Sequence, residues 1–266
     1  MKTSKTNTIK KLFLFLLFAP HLYFAQFDKV EPELVGVSLE RLNRVSEISK
    51  NYVSEGRVPG IVTMIARKGK LIYFEAFGNR GFESKSKLKK NDLFRIYSMT
   101  KPVTALATMQ LYEKGKFQLN DPITKYLPEL NNLKRYNSKG ELIDVKTKIT
   151  MQQLLTHTAG FTYGWGGGPV DKKYEEAKLW LSDGSKEFID KVSSLPLLFE
   201  PGTKWHYSIA VDITGVIVER LSGLTLDKYF KKHIFEPLGM NDTFFEVPKV
   251  KRNRFLPNNY YNYQKR

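Results

Sequence analysis

No cysteine occurs anywhere in the sequence. Disulfides are therefore excluded, as is a lipid-anchored cysteine behind a leader segment, and the fold must be held by its core alone. Histidine is nearly as scarce, with four scattered residues that show no metal-ligand spacing. No metal and no other cofactor is expected. Acids are outnumbered by bases, 27 against 43, which gives a formal charge of +16. The lysines are spread along the chain rather than gathered in one arm or helix, so no nucleic-acid partner is expected. Attraction to an anionic envelope is the milder alternative; the excess charge reads first as solvated surface. Internal repeats are absent, and the one low-complexity stretch, Gly166-Gly167-Gly168, lacks the lysine of a phosphate-binding loop and reads as a flexible lid.

Long apolar runs are also missing. The longest, Leu12 to Phe18, follows Lys2, Lys5, Lys10 and Lys11 and precedes Phe24-Ala25-Gln26. A positive segment, an apolar run and a small residue in that order read as an export signal covering residues 1–25, cleaved after Ala25. An uncleaved anchor is the alternative, favoured by the bulky Tyr23 near the cut, but a bilayer span needs roughly 20 apolar residues. The expected location is periplasmic or secreted, with no stable membrane span after cleavage. Residues 1–25 hold four lysines and no acid, so the remaining chain keeps +12 of the +16.

What is present is enough for a core, since 41% of the 266 residues are hydrophobic. Ser38 caps a predicted helix whose Leu39, Leu42, Val45, Ile48 and Tyr52 recur at steps of three and four, up to Gly56 and Pro59. Two β-rich runs, residues 61–66 and 71–77, flank Arg67-Lys68-Gly69-Lys70, which has the composition of a hairpin turn. A polar loop spans residues 83–92. Val103, Leu106, Ala107 and Leu111 mark a further helix closed by Gly115, and residues 115–245 read as mostly helical with long loops.

Chemistry enters with Ser-x-x-Lys. A serine hydroxyl is a weak nucleophile until a neighbouring base takes its proton, and residues three apart on a helix meet on one face. The spacing occurs three times: Ser84 with Lys87, Ser86 with Lys89, and Ser98 with Lys101. The first two lie in the polar loop, where nothing desolvates a lysine. Ser98 instead opens the amphipathic helix, with Pro102 in a first turn that tolerates proline. Taken alone, a serine there is as well explained as a helix cap.

Its neighbours decide the matter. Phe94-Arg95-Ile96-Tyr97-Ser98-Met99-Thr100-Lys101-Pro102-Val103-Thr104 is followed by Leu119-Asn120-Asp121-Pro122 and Tyr126-Leu127-Pro128. Leu154-Leu155-Thr156-His157-Thr158-Ala159-Gly160-Phe161, Pro201-Gly202-Thr203, Tyr207-Ser208 and Pro237-Leu238-Gly239-Met240 come next, in that order. Through these segments, over roughly residues 35–245, the chain resembles the serine β-lactamase family in its class C, esterase and D-alanyl-D-alanine carboxypeptidase branch. The resemblance implies an α+β fold with an antiparallel sheet part and a mostly helical part. It implies Ser98 as the acylated nucleophile, Lys101 as its base partner, and Tyr207 as the second base that passes a proton to the leaving group. The implied reaction is acyl transfer through an acyl-serine intermediate, on a small-molecule ester or on a lactam or peptide. An ordinary phenol has a pKa near 10, so Tyr207 needs adjacent positive charge such as Lys101 to serve as a phenolate.

Two departures from the family pattern shape the expectation. Where a Tyr-x-Asn motif would hold a substrate amide, this chain has Ile209, which favours esters over lactams. No Lys-Ser/Thr-Gly or His-x-Gly triplet follows, although the family carries one on a strand opposite the serine. The sequence is thus expected to be one β-lactamase-related domain over residues 26–266, incomplete at its C-terminus and lacking the last strands of the sheet. An oxyanion left with the Ser98 backbone N–H alone loses on the order of 3 kcal/mol of transition-state stabilisation. A catalytically impaired fragment or non-catalytic relic of the family is therefore the alternative. His157 is expected to be a structural residue at a helix terminus, and His206 need not face Tyr207.

Overall fold

A computed structural model describes residues 28–259; the export signal expected over residues 1–25 lies outside them. The described residues fall into two compact units. One runs to Leu93 and resumes at Lys251, and the other spans Phe94–Val250.

In the first unit, helix α1 (Leu39–Ser54) starts at Ser38, whose hydroxyl accepts the Arg41 N–H. Strands β1 (Gly60–Arg67) and β2 (Lys70–Gly78) pair antiparallel, from Gly60 opposite Gly78 to Arg67 opposite Lys70. The turn between them holds only Lys68 and Gly69, at φ 52° and 69°. A two-residue hairpin of matching twist needs positive φ at both positions, which glycine adopts without penalty. Helix α1 packs on the hairpin through a narrower stripe than its periodicity predicted. Leu42 and Ser49 are buried, and Ser46 hydrogen-bonds Tyr73 at 2.7 Å, whereas Leu39, Ile48 and Tyr52 are exposed. The cause is geometric: at 100° per residue, positions 42, 45, 46, 49 and 53 share one face, and Ile48 and Tyr52 turn away from it. The loop at residues 83–92 is fastened by Leu88 and by the buried Asp92, which sits 3.4 Å from Arg80.

The second unit holds a continuous apolar core around α6 (Ala210–Ser222), whose Ile213, Ile217 and Val218 are fully buried. Before α6 come α2 (Thr100–Glu113), a small antiparallel pair β3 (Lys134–Tyr136) and β4 (Leu142–Asp144), α3 (Met151–Leu155), α4 (Pro169–Glu176) and α5 (Gly184–Ser193). Helix α7 (Leu226–Phe230) follows it. Helix α2 lies against α6 and contributes Ala107 and Leu111 to this core, and α3 contributes Met151 and Leu154. The region is mostly helical as predicted, but the three-residue strands β3 and β4 are additions the sequence did not signal. No helix among the described residues is long and apolar enough to cross a membrane.

Candidate active site

The chain reaches the site at Tyr97, which stands at φ 44° directly before Ser98. Left-handed backbone at a bulky residue is costly and persists where its surroundings impose it. Here it turns the chain into a short 3-10 segment, Tyr97–Met99, which runs straight into α2. Ser98 thus stands on the turn feeding the helix, exposed, while Lys101 lies in the helix's first turn. The Lys101 Nζ donates to Ser98 Oγ at 3.3 Å.

Tyr207 comes to the same place by a separate route. Thr150 and Gln153 form a reciprocal cap that starts α3, and His157 leaves that helix with φ 57°. The following Gly160 sits at φ 94°, and a Cβ there would meet the Phe199 carbonyl oxygen at 2.7 Å, so only glycine fits. Leu198 N–H donates to the Gly160 carbonyl, Gly202 N–H to Thr158 and His206 N–H to His157, at 2.8, 2.8 and 2.9 Å. The Thr-His-Thr-Ala-Gly segment is therefore a clamp for the chain that carries Tyr207. His157 adds a side-chain hold: its Nδ1 accepts the Ser208 N–H at 3.2 Å, and its ring lies 4.7 Å from that of Tyr207. Burial first, then the charges of Lys101 and His206, hold His157 below its ordinary pKa, which suits an Nδ1 that accepts. His206 turns elsewhere, its Nε2 lying 3.4 Å from Thr162 Oγ1.

Lys101 is the electrostatic centre. Its Nζ lies 4.8 Å from the centroid of the Tyr207 ring and 5.2 Å from that of Tyr163, positions in which aromatic faces attract a cation. Burial pushes the Tyr207 phenol up, but hydrogen bonds from Lys101 and Ser98 and the Lys101 charge outweigh it and leave the phenol below its usual pKa. Ile209, in the place of the family's asparagine, is fully buried and offers nothing to a substrate.

Two further residues stand at the site: Tyr163, which lies in a stretch, Thr162-Tyr163-Gly164, that looks like the esterase branch but carried no assigned role, and Asp212, which no motif marked. Tyr163 donates to Asp212 Oδ2 at 2.8 Å, and Asp212 is half-buried in the first turn of α6. Burial raises the Asp212 pKa, opposed by the Tyr163 hydrogen bond and the Lys101 charge. Burial, with Asp212 beside it, keeps Tyr163 a neutral phenol. The one sequence signal for Asp212 is a lone acid inside the apolar run Ala210–Val218. Nearby, the buried Asp171 accepts from Thr162 at 2.6 Å and from the Gly168 N–H at 3.3 Å, so the triple glycine is tied to a carboxylate at one end.

A serine, a lysine and a phenol thus converge at the head of one helix, and three comparisons show the family to which the chain belongs. The family profile described as Beta-lactamase matches residues 40–262, and the chain belongs to that family. Esterase EstB of Burkholderia gladioli is 34% identical over 220 residues, covering 79% of this chain and 53% of that protein. Lovastatin esterase of Penicillium rubens is 30% identical, covering 73% of this chain and 50% of its own. Among solved structures, EstCE1, a hydrolase with promiscuous acyltransferase activity, superposes with a TM-score of 0.68 at 30% identity, covering 81% of this chain and 55% of that one. The fold is that of the serine β-lactamases and penicillin-binding proteins, α+β in class. The chain spans about half the length of the curated relatives it matches.

Proposed function

We propose that this chain is a serine hydrolase that cleaves esters through an acyl-Ser98 intermediate. The observation that carries the reading is the meeting of Ser98, Lys101 and a Tyr207 phenol held below its usual pKa. In this reading the Tyr207 phenolate takes the Ser98 proton as Oγ attacks the ester carbonyl carbon, and Lys101 holds both oxygens in place. The tetrahedral adduct collapses with cleavage of the carbon–oxygen bond to the alcohol, which leaves with the proton from Tyr207. Water then attacks the acyl-enzyme, gives its proton to Tyr207, and the carboxylic acid departs as Ser98 regains a proton. Esters are favoured over lactams because the buried Ile209 cannot hold an amide.

On one preparation of the full chain, p-nitrophenyl acetate should be hydrolysed faster than a penicillin, and Ser98→Ala should remove that activity. Faster penicillin cleavage would overturn the ester preference. Hydrolysis unchanged by Ser98→Ala would overturn the nucleophile. No Ser98-dependent turnover of either substrate would overturn the hydrolase reading itself. Export to the periplasm or beyond belongs to the proposal as well. It rests on residues 1–25, and N-terminal sequencing of the exported protein should begin at Gln26.

A further inference from the structure

A cleft of about 630 Å³ opens beside Ser98 and Lys101, within the range of small-molecule sites. Asp212, Gly215, Val216 and Glu219 all line it, so it follows one face of α6 for about 10 Å at 1.5 Å per residue. Tyr207 and His157 are not part of its wall. Tyr207 is the group that would hand a proton to the departing alcohol, so the alcohol lies on the Tyr207 side and the cleft takes the other half of the ester.

The wall says what that half is. Beyond Lys101 the cleft is bounded by Leu179, Phe188, Val216 and Leu226, and by Trp180, which stacks with Tyr163 at 5.6 Å between ring centroids. The charged group remote from Ser98 is Glu219, whose carboxylate is already occupied: Ser185 donates to it, and so does the Leu226 N–H at 2.7 Å. Its negative charge repels a carboxylate. The floor is Gly215, in the middle of α6, where glycine is a poorer helix former than alanine. A Cβ there would come within 3.0 Å of Leu226, and any longer side chain would enter the cleft.

We propose that this arm along α6 is the acyl subsite, shaped for a neutral apolar acyl group of medium length. The proposal rests on the ester-hydrolase reading and adds which half of the ester is selected and by which residues. Gly215 and Trp180 are specificity-determining, one keeping the arm open and the other walling it.

The test uses p-nitrophenyl acetate, butanoate, hexanoate and octanoate, which share a leaving group. Burial of each added methylene should raise kcat/KM by up to about fourfold. Gly215→Leu should lower the octanoate-to-acetate ratio at least about tenfold. Trp180→Ala, at an exposed position outside the core, should lower it in the same direction. A p-nitrophenyl ester ending in a carboxylate should be poorer than its neutral counterpart of equal length. A ratio that is flat in the parent protein, or that neither variant changes, overturns the subsite. So does a length dependence found instead on the alcohol side of alkyl acetates. To separate this from failure of the hydrolase reading, the Ser98→Ala chain is titrated with methyl octanoate and methyl acetate while tryptophan emission is followed. Tighter binding of the octanoate, weakened by Gly215→Leu, supports the arm even where no turnover is seen. Ser98-dependent turnover without length preference sinks the arm and leaves the hydrolase.

Discussion

In the proposed mechanism Tyr207 and Lys101 share the handling of the Ser98 proton. With Lys101 donating to Ser98 Oγ, the group able to accept the serine proton is the phenol, and its lowered pKa makes that acceptance feasible nearer neutrality. Replacing Tyr207 by Phe should therefore cost about 10²- to 10⁴-fold in kcat with p-nitrophenyl acetate. The parent protein should gain activity as pH rises through the Tyr207 pKa, below 10, and Tyr207→Phe should lose that limb. Asp212 modulates it, because its negative charge pushes the Tyr207 pKa up. Asp212→Asn should move the alkaline limb to lower pH; a shift to higher pH would contradict the assigned electrostatics. His157 gives a stability signature of its own. Its folded pKa lies below the ordinary 6.5, so the unfolded chain takes up the proton first. The stability it contributes is present above about pH 6.5 and declines as pH falls toward the lowered value. His157→Asn, which tolerates the left-handed backbone, should flatten the fall in Tm below pH 6.5.

At the scale of elements, α3 and the segment after it hold Tyr207 through backbone hydrogen bonds to Thr158, Gly160 and His157. Thr150→Ala breaks the cap at the start of α3 and should cost about 1 kcal/mol of unfolding free energy by denaturant titration, with an equal or larger loss in kcat. Lost activity without lost stability would mean that the cap acts on Tyr207 by some path other than helix formation. The elements differ in how legible they were. Helices α1 and α2 and the β1–β2 hairpin show in the sequence because each is long enough to display a period, and because Lys68-Gly69 suits a two-residue turn. Strands β3 and β4 have three residues each, too few for alternation, and depend on pairing rather than propensity. The Ser98, Lys101 and Tyr207 positions were readable from local motifs. The Tyr163–Asp212 hydrogen bond was not, since 49 residues separate partners that only packing unites.

For the whole molecule, apolar burial is unequal. The continuous core draws its residues from Val103 to Met240, whereas the residues up to Leu93 and from Lys251 bury a handful, among them Leu42, Ile72, Tyr73 and Leu88. Hydrogen exchange should accordingly show amides of β1 and β2 exchanging well before those of Ile213 to Val218, since opening free energy follows buried contact. Equal protection in both would mean that the chain unfolds as one cooperative body. The central claim, that Ser98 is the residue acylated by an ester substrate, is tested most directly by covalent trapping. The full chain is treated with an alkyl fluorophosphonate, which transfers its phosphonyl group to an activated serine with loss of fluoride, and the labelled peptide is sequenced by mass spectrometry. The account predicts one adduct per chain, on Ser98, abolished by Ser98→Ala and strongly slowed by Tyr207→Phe. Labelling at Ser84, at Ser86 or at no serine would contradict it.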